Sequence, residues 1–144
     1  IVGLLERMTA GSYRIEGETM VTVNDYTTGR VFDDAVSYAF YPVDMHTRKG
    51  VKPEPLKPGV VPTIPLRALI PKGSRDLIVA GRCVSSDRLA NSGLRVQASC
   101  MGMGQAAGVA AALAAKAGTT PLEVPLNEIH DRLREHGQIV PQKA

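Results

Sequence analysis

At 144 residues the chain is the size of one ordinary domain and long enough to bury a core. Its 44% hydrophobic and 22% charged residues are those of a globular protein. A net charge of +3 spread along the sequence speaks against nucleic acid, which calls for clustered Lys and Arg with interleaved aromatics.

Residues 13 to 23, "YRIEGETMVTV", alternate apolar and polar around Gly17, which predicts a strand, a turn and a second strand. "NDYTTGRVFDDAV" has the Asn, Asp, Thr and Gly punctuation of a loop. A short aromatic run, "SYAFY", then stops at Pro42. Pro53, Pro55, Pro58, Pro62 and Pro65 forbid helix from 51 to 65, leaving either a surface linker or an extended crossing between two domains. A strand bounded by prolines is predicted near 63–70. "RDLIVAGRC" is the clearest strand of all, near 76–81, because Leu77 to Ala80 is a continuous apolar run of the kind buried on both faces of a parallel sheet. A polar loop from Val84 to Ser92 follows. A long helix is predicted near 94–117, opening around Ser92 and Gly93, with Gly118 as its cap and Pro121 blocking continuation. Leu126, Ile129 and Leu133 at helical spacing predict an amphipathic surface helix near 126–136, stopped by Gly137.

The long helix poses the functional question. Val96 to Ala115 carries no charge and has the length of a membrane span, but Ala and Gly are nearly neutral in transfer, so no membrane partner is expected. Gly102, Gly104 and Ala107 fit the G-x-G-x-x-A form of a dinucleotide fingerprint. No good strand precedes them, and the sequence is helical on both sides, so they are read as mid-helix and unable to cradle a phosphate. Each glycine costs roughly 1 kcal/mol of helix propensity relative to Ala, which makes sense if another backbone or a ligand approaches closely. The unpaired amides at a helix start suit the electron-rich edge of a cofactor.

Cys83 and Cys100 have neither CxxC spacing nor a nearby His, so no metal site is predicted. Both are read as free and at least partly buried. Ile1 opens into ordinary mixed sequence with no signal-peptide pattern, and the lack of an initiator Met suggests that residue 1 is not a natural start. The compartment cannot be read. No G-x-S-x-G elbow supports a hydrolase.

"IPLRALIPKGSRDLIVAGRCVSSDRLANSGLRVQASCMGMGQAAGVAAALAAKAG" closely resembles the C-terminal part of a family of FAD-dependent oxidoreductases, glutathione-reductase-like flavoproteins distantly akin to fumarate reductase flavoproteins. "YRIEGE" and "YPVDMH" resemble shorter motifs of the same family, so the similarity runs from about residue 12 to 137. The resemblance implies an α/β chain with a partial FAD/NAD(P)-binding-like fold. Its last strand and long helix would belong to the FAD-binding domain (63–144), and a β-rich piece of the substrate side, with the proline-rich crossing, would occupy 1–62.

Carried onto this sequence, the resemblance puts Gly81 and Arg82 at a strand end near the flavin. Ser92, Gly93, Leu94 and Arg95 would turn backbone amides toward its pyrimidine edge. Asp44 and His46 would face the substrate. His46 either exchanges a proton with it or is a structural His. Arg95 either grips a substrate carboxylate or pairs with an acid. Cys83, without a resolving partner in sequence, is read as packing. The family's N-terminal βαβ unit, with its true glycine fingerprint, has no counterpart here. The chain is therefore expected to be about the last third of a longer enzyme, with a missing N-terminal FAD-binding half as its partner and an inactive isolated state. It would move a hydride between FAD and a small polar organic substrate. A non-catalytic binding or scaffold module derived from a flavoprotein C-terminus is the alternative. Self-association through the small face of the long helix is expected if the chain folds alone.

Overall fold

A computed structural model describes residues 16–44, 46–47, 50–51 and 53–142, without the side chains of 46–47 and 50–51. The chain is a mixture of helix and strand. Its elements are α1 (Val23–Thr28), β1 (Ala35–Tyr38), β2 (His46–Thr47), β3 (Gly50–Val51), β4 (Thr63–Pro65), α2 (Arg88–Leu94), α3 (Gln97–Ala117) and α4 (Leu126–Glu135), with single 3-10 turns at Leu66–Ala68 and Gly81–Cys83.

The strands form two antiparallel pairs among the described residues. β1 pairs with β4, with an irregularity between Ala35 and Ser37, and β2 pairs with β3 in a short hairpin. The buried face of α3, formed by Ser99, Met103, Ala106, Ala107, Ala110 and Ala114, packs on β1, and α4 lies against α3. Small residues on that face bring helix and sheet close together. A Cβ at Gly102 would overlap the buried Ser37 hydroxyl. The core joins Val36 and Ile64 of the sheet, Leu69 and Ile70 beyond it, Met103 and Ala110 of α3, and Ile129 and Leu133 of α4. Two side chains fasten the C-terminal region to β1: the His130 ring lies 2.8 Å from the Ala35 carbonyl, and Gln138 donates to that of Val36 at 2.7 Å.

Several expectations need correction. The loop predicted from Asn24 contains α1, because Thr22 and Asp25 form a reciprocal capping box and Gly29 closes the helix in the left-handed conformation. Of the strand–turn–strand near 13–23, residues 13–15 lie outside the described residues. Gly17 and Val21 form only isolated bridges, to Pro71 and Ser86. The strand near 63–70 is shorter and gives way to the 3-10 turn after Pro65. The strand near 76–81 does not form: Leu77 to Ala80 are half-buried, and Val79 makes one backbone bond, to Leu69. An apolar run becomes a strand only when another strand pairs with it, and among the described residues none does. The long helix starts at Gln97 and not near Ser92, because Val96 turns extended at φ −74° and ψ 155°, and the polar loop expected from Val84 to Ser92 contains the start of α2, capped by Asp87. Cys83 is exposed, whereas Cys100 is partly buried, and both are free.

α4 and the end of α3 match their expected positions. Gly102, Gly104 and Gly108 lie inside α3, as the mid-helix reading requires. Gln97–Ala117 is long and apolar enough to cross a membrane by length and composition, and one face of it packs against β1 and α4.

Candidate functional site

Gly81, Arg82 and Ser92 to Arg95 lie around α2 and the start of α3. Asp87 builds the entrance to α2. One carboxylate oxygen accepts from the Ala90 amide at 2.8 Å and the other from the Val23 amide at 2.6 Å, so one side chain caps α2 and ties it to α1. Ser92 and Gly93 are buried on the inner face of α2. The Ser92 hydroxyl donates to the Leu89 carbonyl at 2.6 Å and accepts from the Asp44 amide at 2.9 Å, which pins the 41–44 segment to the helix.

Tyr26, fully buried, reaches under α2 and donates to the Tyr41 carbonyl at 2.8 Å. Its ring occupies the space a side chain at Gly93 would need: a Cβ there would lie 2.8 Å from Tyr26 Cε1 and overlap the hydroxyl. Burial pushes the phenol up to about 12. Gly93 therefore serves the Tyr26 ring. Leu94 is buried and Arg95 is half-exposed, its amide donating to the Asn91 carbonyl at 2.9 Å.

The 3-10 turn at Gly81–Cys83 packs on both helices. Gly81 has φ +70°, and a Cβ there would sit 3.7 Å from Cys100 Sγ in the first turn of α3. Arg82 is exposed. Neither Arg82 nor Arg95 makes an ion pair with the described residues. The N-cap of α3, Val96, offers no side-chain acceptor, and Gln97 and Ala98 are exposed at the start of this 21-residue helix, whose first turn packs beside the Gly81 turn. Asp44 reaches α2 through its amide, and His46 opens the β2–β3 hairpin that follows, its backbone paired with Val51. No group of three potential metal ligands occurs among the described residues.

A family model for FAD dependent oxidoreductases matches residues 11–133. The chain belongs to the FAD dependent oxidoreductase family. Comparison with curated proteins and with solved structures gave no match.

As a flavoprotein family member, the chain can be tested for fit to FAD. At a ring edge the groups available are the first amides of α3, with Arg82 in the adjoining 3-10 turn and Arg95 just ahead of the helix. The glycine-rich stretch does not suit phosphates, because Gly102 is pressed against Ser37 and Gly104 lies in mid-helix. Sequence reasoning placed the amide donors at Ser92 to Arg95, inside or just after α2. It missed Tyr26, which has no motif, and Asp87, whose position three residues before Ala90 is an ordinary N-cap signature.

Proposed function

We propose that this chain contributes the flavin-edge wall of an FAD-dependent oxidoreductase, glutathione-reductase-like in kind, acting on a small polar organic substrate. The observation that carries the reading is the uncapped start of α3 beside the Gly81–Arg82 turn, in a chain matched to an FAD family over most of its length. FAD, when bound, would supply the hydride acceptor or donor. The amides of Gln97 and Ala98 would donate to the ring edge and favour negative charge there, an electrostatic contribution that needs no moving part. Gly81, Arg82, Ser92, Gly93 and Leu94 frame that edge, with Ser92 and Gly93 acting through the packing of α2. Arg95 would hold a substrate carboxylate, and His46 would exchange a proton with the substrate.

The phosphates would be gripped by a separate nucleotide-binding half. The test is therefore twofold. The protein purified together with a nucleotide-binding half is expected to carry flavin absorbance, and Arg95→Ala in it to lower kcat/KM at least about tenfold, or about 1.4 kcal/mol. The 144-residue chain alone is expected not to quench FAD fluorescence. A colourless complex would reject the reading, and unchanged kinetics would remove Arg95 from the site. A scaffold module without chemistry is the second reading, favoured by the absence of a phosphate cradle among the described residues, and a colourless, folded, partner-bound protein would support it.

A further inference from the structure

Residues 41–44 form a strap held along both edges. Val43 is buried and exchanges two backbone bonds with Glu54, each 2.9 Å long. The groups on either side of it turn to the helices instead. The Tyr41 carbonyl accepts from the Tyr26 hydroxyl of α1 at 2.8 Å, and the Asp44 amide donates to the Ser92 hydroxyl of α2 at 2.9 Å. Pro42, between those two anchors, has a fixed φ, which leaves the strap little freedom of its own.

The two helices are themselves joined. Asp87 accepts from the Val23 amide at the start of α1 and from the Ala90 amide in α2, while the Tyr26 ring fills the hole at Gly93, the neighbour of Ser92. Tyr26, Ser92 and the strap therefore close a frame, in which a shift of the ring reaches the Ser92 hydroxyl through one residue of backbone. Ser92 and Tyr26 are both buried, so water does not readily replace either bond once its hydroxyl is gone. Two candidates for substrate contact extend from this frame. His46 lies two residues beyond Asp44, where β2 begins, and Arg95 lies three residues beyond Ser92, where α2 ends.

We propose that Tyr26 and Ser92 are positioning residues, whose hydroxyls set the spacing between the His46 segment and Arg95. That spacing selects the length of substrate that fits between a carboxylate held by Arg95 and a proton exchanged at His46. The selection rests on the roles of His46 and Arg95 in the flavin reading; the frame is a property of the chain alone, and each has its own test.

The frame is tested by amide hydrogen exchange in the 144-residue chain, reading Asp44 against Leu133, a buried residue of α4 that reports global opening. Ser92→Ala removes the Asp44 acceptor, whereas Tyr26→Phe removes a bond at the other end of the strap. Each should raise the Asp44-to-Leu133 ratio at least about fivefold. A ratio unchanged in Tyr26→Phe overturns the proposal. The selection is tested in the flavin-bearing complex with the nucleotide-binding half, using acetate, propionate and butyrate as non-reacting probes read by flavin absorbance. The wild type should favour one length by about tenfold, a discrimination that one methylene allows. Both variants should keep their flavin and bring the three probes to within about twofold of one another. A merely structural loss would lower the folded fraction and leave the ratio between probes unmoved. A preference that survives both substitutions, or a wild type indifferent to length, overturns the proposal while the flavin reading stands. A colourless complex rejects the flavin reading and the selection with it, and the exchange ratio still decides the frame.

Discussion

The sharpest constraint is at Tyr26 and Gly93, where a ring fills the space of an absent side chain. Gly93→Ala gains up to about 1 kcal/mol of helix propensity, yet it must displace a buried ring atom at 2.8 Å and the hydroxyl beyond it. Overpacking costs about 1–3 kcal/mol, so net destabilisation in urea unfolding is expected. Tyr26→Phe removes the bond to the Tyr41 carbonyl and should cost about 1 kcal/mol. Because the two residues touch, the double variant should deviate from additivity by at least about 0.5 kcal/mol; strict additivity would mean the ring moves freely. Tyr26 also carries a pH signature. Its folded phenol titrates at about 12 against an ordinary 10.0, so the unfolded chain releases the proton first as pH rises. The stability it protects is fully present below pH 10 and is lost as pH climbs toward 12. The alkaline limb of the wild-type curve should exceed that of Tyr26→Phe across that window. None of this was legible in the sequence, where Tyr26 sat in a stretch that reads as loop and Gly93 looked like a ligand contact.

Among the elements, those legible in the sequence carry their own periodicity or stop signal. α4 shows Ile129 and Leu133 on one face, and α3 ends at Gly118 in the left-handed conformation, with its amide bonded back to the helix. α1 was missed because its apolar content is low, although "TVND" holds the capping box that makes it helical. Residues 76–81 were misjudged for the opposite reason: a strand is a relation between segments, and an apolar run does not name its partners. The break at Arg95 and Val96 has no Gly or Pro to announce it, and it moved the candidate amide donors from α2 to α3. Beyond Gly118 a compact turn closes the helix, in which the Glu123 carboxylate accepts from both Thr119 and Thr120 hydroxyls and from the Thr120 amide. Those bonds hold its pKa at about 2, below the ordinary 4.5. The folded state therefore keeps its charge where the unfolded chain has begun to protonate. The contribution is present above pH 4.5 and is lost as pH falls toward 2. In Glu123→Gln the acid limb of the stability curve should flatten over that window, with little change in the rest of the profile; an unchanged limb would place the carboxylate in solvent.

The whole molecule presents α3 with two unlike faces, and glycines sample both. Gly102 faces the sheet, and a Cβ there would drive the Ser37 hydroxyl from its place, where it donates to the Tyr38 carbonyl at 3.2 Å. Gly104 and Gly108 face outward, with nothing within 4 Å of an added Cβ. In the isolated chain, Gly104→Ala and Gly108→Ala should each stabilise by up to about 1 kcal/mol through helix propensity alone. Gly102→Ala should fall short of them by about 1–2 kcal/mol, because overpacking against Ser37 cancels that gain or exceeds it. The outward pair also reports on what α3 meets in the working protein. If a nucleotide-binding half lies across that face, a methyl group at Gly104 or Gly108 meets packed atoms, and the same substitutions should weaken the complex while still stabilising the free chain. A reversal of sign between free and complexed protein, measured by unfolding of the one and titration of the other, would locate the covering surface on α3. Stabilisation of equal size in both states would leave that face in solvent, and the close approach that the glycines allow would then be confined to Gly102 and the sheet beneath it.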